Sequence, residues 1–85
     1  DINAHTVAIG EKRIELTITE FKLLRELLLS KGRVKSRETL LNTVWGYTFE
    51  GYNRTVDTHI QRLRHKLGDH GKKITTVRSI GYMIR

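Results

Sequence analysis

The residues best equipped for chemistry crowd into one stretch, 54–67. Val56, Ile60, Leu63 and Leu67 follow one another at intervals of four, three and four, which makes one apolar stripe on a helix. At about 100° per residue, Arg54, Thr58, Gln61 and His65 fall near the opposite side, with Arg62 flanking them and Arg64 and Lys66 towards the two edges. A guanidinium, a hydroxyl, an amide and an imidazole on one outward face suit a major groove. Arg can donate two hydrogen bonds to guanine O6 and N7, Gln can pair with adenine N6 and N7, and a Thr methyl can meet a thymine methyl. Edge cations reach phosphates and fix the register. Read alone, the same face also fits an ordinary solvated helix. Arg78 stands just before Ser79-Ile80-Gly81, a turn sequence, and an Arg near a hairpin tip can enter a narrow minor groove. Lys72 and Lys73 are placed to meet phosphate, although a plain edge hairpin carries such charge too.

Other chemistries find little support. Asp57 and His59 point to different sides of a helix and cannot form a catalytic pair with a local Ser; Asp57 is expected to cap or pair near the helix start. The four His residues, at 5, 59, 65 and 70, have no metal-site spacing, and there is no Cys. The seven Gly residues are scattered rather than gathered into a phosphate loop. The expectation is a protein that is not an enzyme and holds no metal and no cofactor. Trp45 reads equally as core and as an indole donor reaching phosphate from the domain edge. Tyr47, Phe49 and Tyr52 either pack their loop onto the body or form a partner surface.

The elements that must position these residues follow from the pattern. Thr6-Val7-Ala8-Ile9 and Arg13-Ile14-Glu15-Leu16 read as short strands separated by a turn at Gly10-Glu11. Thr19 as N-cap, then Phe21, Leu24, Leu27 and Leu28 at helical spacing, predict a helix over 19–31, with Gly32 just past its end. Ser36 caps a shorter helix whose apolar face is Leu40, Leu41 and Val44 and which ends at Trp45-Gly46. Residues 46–53 read as a loop. The third helix spans 54–67 and stops at Gly68. Residues 74–78 and 82–85 form a hairpin about the 79–81 turn.

Composition bounds the answer. The 85 residues suffice for one small domain, here 1–85. Asp1 rather than Met at the start suggests a domain of a longer protein. No apolar run approaches membrane-spanning length and no signal peptide opens the chain, so a cytoplasmic location away from the membrane is expected. The formal charge is +7, unevenly spread: residues 1–50 carry 8 basic and 7 acidic side chains, residues 51–85 carry 8 and 2. A basic excess confined to one half suits a polyanion.

The run Arg54-Thr55-Val56-Asp57-Thr58-His59-Ile60-Gln61-Arg62-Leu63-Arg64-His65-Lys66-Leu67 resembles the recognition helix of OmpR/PhoB-type response regulators. Three further segments match in the same order: Leu16-Thr17-Ile18-Thr19-Glu20-Phe21-Lys22-Leu23-Leu24, Val44-Trp45-Gly46, and Thr76-Val77-Arg78-Ser79-Ile80-Gly81-Tyr82. The resemblance implies an α+β winged helix-turn-helix: a small N-terminal antiparallel sheet, four-stranded in the family, then three helices and a C-terminal β-hairpin wing. It implies sequence-specific double-stranded DNA binding as the effector domain of a bacterial two-component regulator of transcription. A receiver domain, absent from this chain, would promote dimerisation on direct-repeat half-sites when phosphorylated. Thr58 and Arg62 would face bases. Arg54, His59, Gln61, Arg64 and Trp45 would lie near the DNA backbone, and Thr76 and Arg78 would act at the wing. Thr55, His65 and Lys73 complete the expected DNA-binding set. The loop Gly46, Tyr47, Thr48, Phe49, Glu50, Gly51, Tyr52 and Asn53 would contact RNA polymerase. Gln61 replaces a usual basic residue and Ser79 a usual Gly, which puts one phosphate contact and the wing turn's backbone angle in question. The competing reading is a winged-helix interaction module whose basic face docks an acidic protein partner.

Overall fold

In the computed structural model the described residues are 4–9, 11–46 and 53–85. Residues 47–52, part of the expected loop, lie outside them, as do the side chains of Asn53 and Arg54. The chain opens with an antiparallel pair, β1 (Ala4–Ile9) and β2 (Lys12–Thr17), registered from Ala4 opposite Thr17 to Ile9 opposite Lys12. Side chains alternate across a strand, so Val7, Ile9, Ile14 and Leu16 turn to the body while Thr6, Ala8 and Glu15 stay exposed. Among the described residues this sheet has two strands, where the resemblance implies four.

Helix α1 (Ile18–Leu29) starts one residue earlier than its expected bound and on a different cap. Thr17, not Thr19, is the N-cap: its Oγ1 accepts the Glu20 N–H at 3.1 Å, and Glu20 Oε1 accepts the Thr17 N–H at 2.9 Å. The reason is spacing. Thr17-Ile18-Thr19-Glu20 places a carboxylate three residues after the cap, where it closes a reciprocal capping box. The buried face also differs in part from the expected stripe: Leu23 joins Leu24 and Leu27 in the core, while Leu28 is half exposed. The helix ends at Leu29, and Gly32 (φ +83°) then donates its N–H to Ile84 O at 2.8 Å.

The two-residue strand β3 (Lys35–Ser36) leaves no trace in the hydrophobic pattern. It exists because it pairs with β5 (Gly81–Ile84), which also pairs with β4 (Ile74–Val77), giving a three-stranded sheet of order β3-β5-β4. The pairing requires a close approach: a Cβ at Gly81 would lie 1.9 Å from Lys35 O. Ser36 then caps α2 (Arg37–Leu40), accepting the Thr39 N–H on Oγ at 3.0 Å. The helix widens into a π-helical turn, Leu41–Trp45, and stops at Gly46. Leu40, Leu41 and Val44 are buried, as their spacing predicts.

Helix α3 (Asn53–Leu67) is the longest element. Val56, Ile60 and Leu63 are wholly buried and Leu67 nearly so, so the stripe read from the sequence is the stripe that packs. Gly68 (φ +61°) ends it, and a 3₁₀ helix (Gly68–Lys73) leads into the β4–β5 hairpin. The hairpin strands are shorter than expected at 78 and 85, and the turn falls on residues 78–80. Ile74, Tyr82 and Ile84 bring the hairpin into the core formed by Leu16, α1, α2 and α3.

Candidate nucleic-acid interface

Burying four residues of α3 fixes what its other side presents. Thr58, Gln61, Arg62 and His65 are all exposed, on the side opposite the stripe. Thr55 and His59 sit half-buried at the flank. His59 Nδ1 lies 2.9 Å from Thr55 O. A carbonyl can only accept, so this ring nitrogen carries the proton. Trp45 packs against the core and meets the His59 ring edge-on, with centroids 5.0 Å apart. The indole is therefore both partly buried and next to the outward face. Arg54 belongs to α3 by its backbone; its side chain lies outside the described residues, as does the 47–52 part of the expected polymerase-contact loop.

Downstream, Lys72 and Lys73 of the 3₁₀ helix, Thr76 of β4 and Arg78 of the turn are exposed. Gln61, His65 and Lys72 share an open groove of about 460 Å³ that also touches Arg64, Gly68, Gly71 and Ile74. Arg78 lies in the turn, next to Ser79 at φ +66°. The left-handed conformation usually taken by Gly is thus retained here with a side chain.

Both edge cations of α3 have intramolecular partners. Lys66 Nζ stands 2.6 Å from Glu20 Oε1, the oxygen that also closes the capping box. Burial penalises the Glu20 carboxylate, but the bonds from Lys66 and Thr17 outweigh it and hold the carboxyl below its ordinary value. Arg64, expected beside phosphate, has its guanidinium on the hairpin. Nε and Nη2 donate to Ile74 O at 3.1 and 2.8 Å, and Nη2 donates to Thr76 Oγ1 at 2.7 Å.

A second junction joins residues far apart in the sequence. Asp57 Oδ1 accepts from Arg37 Nε at 2.7 Å and from the Tyr82 hydroxyl, so α2, α3 and β5 meet on one carboxylate. The hydrogen bond to Asp57 raises the Arg37 pKa above its ordinary value. Burial, then the Asp57 contact, raise that of Tyr82 and keep the phenol protonated. The Arg37 and Arg64 guanidinium carbons lie 5.5 and 5.6 Å from the Tyr82 ring centroid, within cation–π range. Asp57 was expected to cap or pair near the helix start, and it pairs; its partners, 20 and 25 residues away, have no local signature. Among the described residues no group of three or more His, Cys, Asp or Glu is placed to hold a metal ion.

Comparison with known proteins agrees with this geometry. The family model described as "Transcriptional regulatory protein, C terminal" matches residues 10–84. The phosphate regulon transcriptional regulatory protein PhoB of Escherichia coli (strain K12) is 48% identical over 84 residues, covering 96% of this chain and 37% of PhoB. The response regulator ArlR of Staphylococcus aureus (strain Mu50 / ATCC 700699) is 47% identical over 87 residues, covering 100% of this chain and 40% of ArlR. The chain thus spans well under half the length of these relatives. Among solved structures, the DNA-binding domain of response regulator AdeR in complex with an intercistronic region superposes with a TM-score of 0.83 at 31% identity, covering 99% of this chain and 88% of that one. The fold is the winged helix of these domains, and the chain belongs to the transcriptional regulatory protein C-terminal family, the OmpR/PhoB-type domains.

Proposed function

We propose that this domain binds double-stranded DNA sequence-specifically, as the effector domain of a bacterial two-component response regulator that controls transcription. One observation carries the reading. The outward face of α3 holds Thr58, Gln61, Arg62 and His65, all exposed opposite four buried residues, and the turn that follows β4 holds exposed Arg78. Helix insertion in the major groove places Thr58 and Arg62 at base edges. Thr55, His59, Gln61, His65 and Trp45 then flank the phosphates, with Arg54 at the start of the helix. Lys73 and Thr76 contact the backbone from the wing side, and Arg78 enters the minor groove. The DNA-binding domain of AdeR, solved in complex with an intercistronic region, supports the assignment.

The partners of a whole regulator follow as part of the same proposal. A receiver domain would supply the phosphorylation signal in the cytoplasm, and residues 46–53, the last of them the first residue of α3, would meet RNA polymerase. Two copies would sit on direct-repeat half-sites; the domain's longest dimension, 35 Å, is close to the roughly 34–36 Å of one DNA turn. No helix among the described residues is long and apolar enough to cross a membrane. The protein-docking alternative is not favoured, because among the described residues the outward face of α3 carries no exposed aliphatic side chain. Selection of bound duplexes from a random library tests the proposal. A recovered consensus is expected; a pool that stays random under stringent washing would contradict base reading.

A further inference from the structure

Asp57 and Arg64 are seven residues apart on α3, hence on one side of the helix and about 10 Å apart along its axis. Both reach the hairpin. Asp57 takes the Tyr82 hydroxyl of β5, and Arg64 takes the Ile74 carbonyl and Thr76 hydroxyl of β4. The Arg64 fork is planar, and it is directed at two acceptors on one strand while its cation lies near the Tyr82 ring. Thr76 precedes Arg78 by two residues, so the strand gripped by Arg64 runs directly into the turn that carries the wing's exposed guanidinium.

We propose that Arg64 is a positioning residue: it clamps β4 to the recognition helix and so sets where Arg78 stands relative to Arg62, and it acts through the wing rather than by holding a phosphate itself. The inference rests on the DNA-binding reading of this face. A Lys at this position keeps the positive charge but has no fork to span a carbonyl and a hydroxyl, so charge and geometry separate cleanly.

The test is a double-variant cycle on a duplex selected for binding by this chain, read as affinity and as its dependence on salt. Arg64→Lys, Arg64→Ala and Arg78→Ala are each expected to weaken binding about tenfold, the cost of one tight DNA contact. In the Arg78→Ala background, Arg64→Ala is expected to cost no more than about two- to threefold and to leave the salt slope unchanged. A direct phosphate contact would instead lower that slope by about 0.9. Amide exchange without DNA supplies a second readout: Arg64→Lys should speed exchange at Thr75 and Met83, the hydrogen-bonded pair that joins β4 to β5, and leave α1 protected. Parent-like binding by Arg64→Lys would overturn the proposal, as would a tenfold loss that persists without Arg78, or unchanged exchange in the hairpin. Failure of the parent chain to bind duplex DNA in a salt-dependent way would overturn the reading of the face itself, which none of the other outcomes does.

Discussion

Arg62 is the residue on which base reading most depends, because it is exposed on the outward face of α3 beside Thr58. Arg62→Ala should cost about 1–3 kcal/mol on the selected duplex and relax discrimination at one base position. Competition binding against single-base variants measures this, and intact discrimination would remove Arg62 from the base-reading role. Ser79 carries a different prediction. Its φ of +66° places a side chain in the left-handed region, a conformation unfavourable by about 1–2 kcal/mol for a residue with a Cβ. Part of that gain is offset by the greater freedom of an unfolded Gly. Ser79→Gly should therefore stabilise the domain by about 0.5–1 kcal/mol, a rise of a few degrees in Tm. At this scale the outward residues were legible because helical phase alone separates Thr58, Gln61 and Arg62 from Val56, Ile60 and Leu63. The partners of Arg64 and Asp57 were not, because periodicity says which side of a helix a residue occupies and nothing about which distant strand it meets.

The elements are held together by junctions between neighbours, and the Thr17–Glu20–Lys66 junction is the most exposed to pH. Glu20 is almost wholly buried, receives the Thr17 N–H, and pairs with Lys66 from the far end of α3. Its carboxyl pKa is lowered on folding from an ordinary value of 4.5. A group whose pKa falls on folding stabilises the native state above the unfolded value, and this contribution is lost as pH drops through the folded value. The stability gap between the parent and Glu20→Gln, measured by urea unfolding, should thus be full near neutral pH and shrink as the pH falls below about 4.5. A gap that grows on acidification would contradict the pairing. Thr17→Ala should cost about 1 kcal/mol through loss of the cap, seen in the same measurement. Element boundaries divide along the same line. The end of α3 at Gly68 and the Ser36 cap of α2 were legible, since each is fixed by one residue beside a clear pattern. The start of α1 differs from the expected Thr19 because two Thr residues stand two apart, and only the distance to Glu20 decides between them. Strand β3 has no pattern of its own and exists through its partner, β5.

The whole molecule combines a shared core with a one-sided charge. Its +7 lies mostly in residues 51–85, which supply α3, the 3₁₀ helix and the hairpin, the elements that carry the candidate interface. That asymmetry was visible in composition before any element was placed. The relative setting of wing and helix was not, since it depends on contacts between residues 10 to 25 apart in sequence. Binding by such a surface draws much of its strength from neutralising phosphates and releasing counterions. The most direct test of the central claim is therefore a titration of the selected duplex with this chain across roughly 50–200 mM salt, the range over which several phosphate contacts change affinity by orders of magnitude. A linear fall of log affinity with log salt concentration, with a slope of several units, is the predicted result. A flat response would contradict the account.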